Sequence, residues 1–251
     1  VNSHSALRRL GYTSDQAAIM RRYISEQQGW IAHLENSRQI IIESLLRQKA
    51  KTVRILGSGN LLDVPVDEIL QHGSTLVLTD IIHPPQVVNR FYGASSVSFE
   101  TVDLTGGLVD FIAQRHARKL TFFELENFIR NITLPTFDED LVVSLNLLSQ
   151  LNDIPIAYLR HKGKLSNEQL HELSEQIQQR HVDQLPVGRT LLVSDYEEEY
   201  YDEDGNLVGA NPTVFVRIPG CTIREWSWQF DTQMTYHEDF KTVLRVTARQ
   251  W

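Results

Sequence analysis

Val53-Arg54-Ile55-Leu56-Gly57-Ser58-Gly59-Asn60, followed by Thr75-Leu76-Val77-Leu78-Thr79-Asp80, is the stretch that decides the fold. Val53, Ile55 and Leu56 form a short apolar run that stops at a glycine turn, and the second run ends on an acid. Short continuous apolar runs of this kind belong to strands covered on both faces, as in a parallel sheet. Between them, Asp63 to Gln71 has helical spacing with Pro65 in its first turn, where a missing N–H is harmless. Strand, glycine turn, helix and strand make one βαβ unit.

Downstream the alternation continues. Val97 to Val102 reads as a third strand ending at Asp103, and Gly106-Gly107 opens a helix through Phe111 and Ile112. Arg118 to Pro135 is the least regular part, with a helix near Phe123 to Ile129. Leu141 to Leu145 is a fourth strand, Ser166 caps a helix reaching His181, and Arg189 to Ser194 is a fifth strand. After that the pattern turns antiparallel: Asp204-Gly205-Asn206 marks a hairpin turn, and Thr213 to Ile218, Thr222 to Phe230 and Phe240 to Arg249 are strand-like. Upstream, residues 1–50 read as helical. Thr13 or Ser14 caps a segment carrying Ile19, Met20, Tyr23 and Ile24, and Ile31, Leu34, Ile41, Ile42, Leu45 and Leu46 form an apolar stripe on the next. The division expected is a helical N-terminal extension or cap over 1–50 and a ligand-binding domain over 51–251.

Charge and composition narrow the partners. The chain has 251 residues and a formal charge of -8, which disfavours a phosphate-tracking surface, so nucleic acid is not the expected partner. No apolar stretch approaches a membrane span, and Arg8, Arg9, Asp15, Arg21, Arg22 and Glu26 leave no signal core near the start, so a cytoplasmic location is expected. Cys221 is the lone cysteine, which excludes an internal disulfide and a thiolate-rich metal site. No metal is expected: the histidines lack the zinc-protease spacing, and aligning Gly205 with a calcium loop puts Tyr200 and Asn211 at ligand positions they cannot fill.

The chemistry is carried by three strand ends. A glycine turn lets backbone approach a ligand, and an acid ending the next strand can accept from both ribose hydroxyls. Gly57 and Asp80 are 23 residues apart, close to the separation of about 20 for such a pair. Asp103 lies another 23 residues on, where a carboxylate can accept from an exocyclic adenine amine. The acids Asp63, Asp67 and Glu68 crowd the start of the following helix, where they would repel a pyrophosphate but not a sulfonium; they can equally serve as helix-capping charges.

Ile55 through Asn60, Leu78-Thr79-Asp80, Val102-Asp103-Leu104 and Leu145-Asn146-Leu147-Leu148, in this order and spacing, resemble the successive cofactor motifs of class I S-adenosylmethionine (SAM) dependent methyltransferases. The resemblance covers roughly Thr52 to Trp251, including the closing antiparallel strands. It implies an α/β, Rossmann-like, mostly parallel seven-stranded sheet with an antiparallel C-terminal edge, helices on both faces and a helical N-terminal extension. By position it assigns the methionine part of SAM to Gly57, Ser58, Gly59 and Asn60, the ribose to Asp80 with Ile81, the adenine to Asp103 with Leu104, and the vicinity of the reactive methyl to Asn146 and Leu147. Two positions depart from the pattern: Ile55 stands where an acid is frequent, and Leu61 where a third glycine is usual. Asp63 is a substitute partner for the cofactor ammonium, or simply a cap.

The resemblance implies methyl transfer to an unidentified acceptor, a small molecule in the first instance. Methyl transfer needs alignment and water exclusion more than a dedicated base. His33 is a candidate base, and Tyr23 and Trp30 are candidate substrate contacts, each with a packing role as the alternative. His83, Glu124 and Glu126 are weaker loop and helix candidates. Two other readings stay open: a silent SAM-binding or partner protein of the same fold, and an NAD(P)-dependent oxidoreductase.

Overall fold

The computed structural model describes residues 4–251. Helices α1 (His4–Leu10), α2 (Tyr12–Ser25) and α3 (Gln27–Gln48) precede β1 (Thr52–Leu56), α4 (Val66–Gln71), β2 (Thr75–Asp80), α5 (Pro85–Arg90), β3 (Val97–Thr101), α6 (Leu108–Ala113), α7 (Phe122–Asn131) and β4 (Leu141–Leu145). Then follow α8 (Asp153–Lys162), α9 (Asn167–Gln184), β5 (Thr190–Tyr201), β6 (Leu207–Pro212), β7 (Cys221–Asp231) and β8 (Lys241–Gln250). The strands form one sheet in the order β3-β2-β1-β4-β5-β8-β7. β1 to β5 are parallel, β8 pairs antiparallel with β5 and β7, and the order reverses between β1 and β4. This is the Rossmann-like sheet with an antiparallel C-terminal edge that the sequence implies. The eighth strand, β6, lies off that path as a hairpin arm on the outer half of β5.

Two apolar layers cover the sheet. One gathers Trp30, Leu34, Ile41 and Leu45 of α3 with Ile55, Leu78, Val143, Leu191, Trp228 and Val246. The other gathers Ala6, Leu7 and Leu10 of α1 with Leu56, Ile112, Leu125, Val142, Leu159, Leu173 and Leu192. Successive strand residues point to opposite faces, so adjacent Ile55 and Leu56 serve different layers. The N-terminal helices thus belong to the same cores as the rest of the chain. Among the described residues, no helix is long and apolar enough to cross a membrane.

Several expectations need correction. The helix after the glycine loop starts at Val66 rather than Asp63, because a residue before proline is held out of helical backbone and Pro65 has ψ 66°. Neither Thr13 nor Ser14 caps α2; Gly11, at φ 110°, separates α1 from α2, and Ser14 Oγ donates to Gly11 O at 2.7 Å. On α3 the buried face runs through Trp30, His33, Leu34, Ser37, Ile40, Ile41, Ser44 and Leu45, while Ile31 and Leu46 are exposed. Thr213 to Ile218 is not a strand. Its alternating Val214, Val216 and Ile218 pack on the second layer, and Gln178 of α9 bonds both Thr213 O and Phe215 N, replacing a ladder. Strand β6 instead forms from the largely exposed Leu207–Pro212, drawn into pairing by the hairpin at Gly205.

Ile55 is wholly buried in the central strand. Ile55→Ala should cost about 2–5 kcal/mol in urea unfolding, and a loss well under 1 kcal/mol would show that this layer is not closely packed.

Candidate functional site at the carboxyl edge of the sheet

In open α/β sheets a ligand crevice lies outside the carboxyl ends of the strands where their order reverses. Here that is the edge between β1 and β4. Leaving β1, the loop takes positive φ at Gly57 (80°), Gly59 (47°) and Leu61 (60°). A Cβ on Gly57 would stand 3.0 Å from Leu145 O and 3.1 Å from Leu147 Cβ, so glycine there is required by both backbone angle and proximity. Leu61 adopts the left-handed conformation without being glycine, and its buried side chain joins the first core layer.

Asp80 ties this loop to the next strand. Its Oδ2 accepts from Gly59 N at 2.7 Å, and its Oδ1 from Ile81 N at 2.7 Å and Ile82 N at 3.4 Å. Burial pushes its carboxyl above the usual range, with the Gly59 N–H pulling in the other direction. Oδ2, which takes only the Gly59 N–H, has a further lone pair to offer. Asp103 sits past the end of β3 and bonds Thr105 N at 2.9 Å, Thr105 Oγ1 at 2.5 Å and Val109 N at 3.3 Å, so it orders the turn into α6. Leu104 is buried behind it and Ile81 is half-buried. Asn60 accepts from Gln86 on the outer side of the loop.

At the end of β4, Asn146 has φ 47° and is buried. Its amide nitrogen lies 2.8 Å from Asp63 Oδ2 and 3.1 Å from His33 Nε2. His33 is thereby brought to the site, but it is fully enclosed, stacked on Trp228 with ring centroids 3.7 Å apart, and pushed down to about 3 by burial. A ring held neutral in that way is a weak proton acceptor at neutral pH. Trp30 lies in the core, donating to Phe230 O at 3.0 Å and packed against Trp228 and Phe230, with Tyr23 beside it. Of the weaker candidates, His83 bonds Glu100 O, Glu124 closes the capping box of α7, and Glu126 pairs with Arg130.

The structure adds residues the sequence did not single out. Tyr12 of α2 has its phenol raised well above the usual range, by burial first and then by the fields of Asp103, Asp15, Asp80 and Asp153. Gln16 of the same helix bonds Ile82 O, so α2 lies over the end of β2. Asp153, opening α8, is open to solvent yet deeply surrounded by protein; its carboxyl is pushed up to about 7 by desolvation, then by Asp195, Asp15 and Glu198. Asp195 of β5 accepts from Ser149 Oγ at 2.6 Å. These groups come from elements far apart in the chain, and only the glycine-to-acid spacing was visible beforehand. Two grooves lie away from this edge, on the outer sheet among β5, β7 and β8 and beside the segment after β6.

No protein-family model matches the chain, and no curated protein matches its sequence. Solved structures similar to it include the N-methyltransferase NodS from Bradyrhizobium japonicum WM9 in complex with S-adenosyl-L-homocysteine, with 14% identity over 86% of each chain and a TM-score of 0.40. Another is the 1,6-didemethyltoxoflavin-N1-methyltransferase from Burkholderia thailandensis, with bound 1,6-didemethyltoxoflavin and S-adenosylhomocysteine, at 11% identity over 95% of this chain and 90% of that one, TM-score 0.42. An O-methyltransferase family protein from Burkholderia thailandensis is similar over 66% of this chain and 39% of that one, with 12% identity and a TM-score of 0.29. Superpositions this loose transfer no residue roles.

The Asp153 carboxyl, raised in the fold, keeps its proton where an unfolded chain has lost it. Its contribution favours the folded state below the ordinary carboxylate range and is lost as pH rises through about 7. Asp153→Asn should therefore raise the unfolding midpoint at pH 8 relative to wild type and leave it nearly unchanged at pH 4. An equal effect at both pH values would rule out the raised carboxyl.

Proposed function

We propose that this chain is a SAM-dependent methyltransferase acting on a small molecule. The observation that carries the reading is the glycine loop closed on Asp80, Gly59 N to Oδ2 at 2.7 Å, at the edge where strand order reverses. The open space beside Gly59, where a Cβ would meet nothing nearer than Gly57 O at 4.0 Å, and the remaining lone pair of Asp80 Oδ2 suit close backbone approach and a ribose. When bound, SAM supplies a methyl group activated on a sulfonium. The residues of this chain supply the rest. Asp80 and Ile81 would hold the ribose, Asp103 and Leu104 the adenine edge, and Gly57 to Asn60 the amino-acid end. Asn146 and Leu147 would border the transfer path, and α2, with Tyr12, would exclude water from above.

Electrostatics favour this over a nicotinamide dinucleotide. Asp67 and Glu68 stand in the first turn of α4, and α4 has only six residues of helix to offer a phosphate. The acids around Tyr12 make the crevice a better host for a sulfonium than for a pyrophosphate. Turnover without a dedicated base is consistent with the enclosed, neutral His33.

Thermal unfolding with SAM, S-adenosylhomocysteine, NAD and NADP tests the reading: the first two should raise the midpoint and the last two should not. A shift with NAD alone would overturn it. Transfer of labelled methyl from SAM into a metabolite extract separates an active enzyme from a silent binder, with incorporation expected. Asp80→Ala should weaken S-adenosylhomocysteine binding by about 1.5–3 kcal/mol, the range for hydrogen bonds to a charged group. Unchanged calorimetric affinity in a folded variant would remove Asp80 from the site.

A further inference from the structure

Four polar side chains run in one line from β7 through α3 to the end of β4. Trp226 Nε1 donates to His33 Nδ1 at 3.1 Å, His33 Nε2 lies 3.1 Å from the Asn146 amide nitrogen, and that nitrogen lies 2.8 Å from Asp63 Oδ2. An indole nitrogen only donates, and a neutral imidazole carries a single N–H. With Nδ1 accepting from Trp226, the proton of His33 sits on Nε2, and it then points at an amide nitrogen, donor against donor. Placing the proton on Nδ1 instead only moves the conflict to Trp226.

The two ends of a carboxamide are assigned from their hydrogen bonds. Turning the Asn146 amide over puts its oxygen opposite His33 Nε2–H and removes the conflict. It also sets that oxygen against Asp63 Oδ2, which requires a proton on Asp63; burial pushes this carboxyl upward, against the bond from Asn146, its own backbone N–H and the charge of Arg38. The same rotation moves the amide nitrogen to the position where the Asn146 oxygen now lies buried without a partner. A second orphan stands nearby: Ser58 Oγ is buried and equally unpartnered. The β1–β4 ladder ends with Leu56 opposite Ser144, so Ser58 and Asn146 both lie two residues beyond that pair. With the amide turned over, two donors without protein acceptors flank the reversal of strand order, with the Asp63 carboxyl behind them.

We propose that His33, fixed by Trp226, is a positioning residue that turns the Asn146 amide so that its N–H2, together with Ser58 Oγ–H, donates to the carboxylate at the amino-acid end of the cofactor, with a neutral Asp63 closing the line. This rests on the methyltransferase reading. In it Asp63 is not the ammonium's counter-charge but a proton donor to Asn146.

Long-range 1H–15N spectra of the labelled wild-type protein read the proton directly. His33 should show the Nε2–H tautomer at pH 7; the Nδ1–H tautomer or an imidazolium overturns the assignment. Calorimetry with S-adenosylhomocysteine and with 5′-methylthioadenosine, which lacks the amino-acid end, reads the ligand contact. Asn146→Asp should lose about tenfold or more in affinity for the first and nothing for the second. Equal losses, or none, overturn the contact. His33→Gln, which keeps a donor near the Nε2 position, should retain more affinity for S-adenosylhomocysteine than His33→Leu, and equal behaviour of the two counts against positioning. If wild type binds neither nucleoside, the methyltransferase reading falls, while the tautomer still decides the proton assignment.

Discussion

The site depends on one desolvated carboxylate. Asp80 accepts from Gly59, Ile81 and Ile82, so a single side chain at the end of β2 fixes the loop leaving β1 and its own exit turn. Hydrogen bonds to a charged group are the stronger kind, and here one of them holds Gly59 at positive φ; Leu61, two residues on, is held in its left-handed conformation by its N–H to Ser58 O at 3.0 Å and by its buried side chain. The loop then has nowhere to relax: Gly57 is pressed against Leu145 and Leu147 on the other side. The loop geometry is thus fixed by the chain's own contacts.

The N-terminal helices complete the same construction from both faces of the sheet. α3 packs on β7 and delivers His33 to the end of β4, while α1 packs into the other layer and α2 reaches over β2. The histidine on the buried face of α3 follows from this. A helix that only covered a core would carry aliphatic side chains throughout, whereas His33 is needed between Trp226 and Asn146. Burial and the neighbouring acids raise the proton affinity of Tyr12 and of Asp153, so both tend to keep their protons or to favour a compensating positive charge nearby.

The parallel strands were legible because each is a short apolar run ending at a glycine, an acid or an asparagine, and those end residues are the ones that face the crevice. The glycine loop and Asp80 were legible through spacing alone. Legibility failed where a pattern had two physical explanations. Val214, Val216 and Ile218 alternate like a strand but pack on the second core layer, with Gln178 bonding the backbone of Thr213 and Phe215 between them. Ile31 and Leu46 fit a helical stripe yet face solvent. His33 and Asn146, 113 residues apart, touch only through tertiary packing, and no local signal joins them. The acids Asp15, Asp153 and Asp195 are ordinary in sequence and become unusual only when three separate elements converge.

A crystal structure of the chain with S-adenosylhomocysteine addresses the central claim most directly. The account predicts the adenosine lying across the carboxyl ends of β1, β2 and β3, with the ribose hydroxyls on Asp80 and its amino-acid end beside Gly57 and Asn146. Nucleoside density on any other face of the sheet, or a ribose that leaves Asp80 bonded only to its three backbone amides, would contradict it.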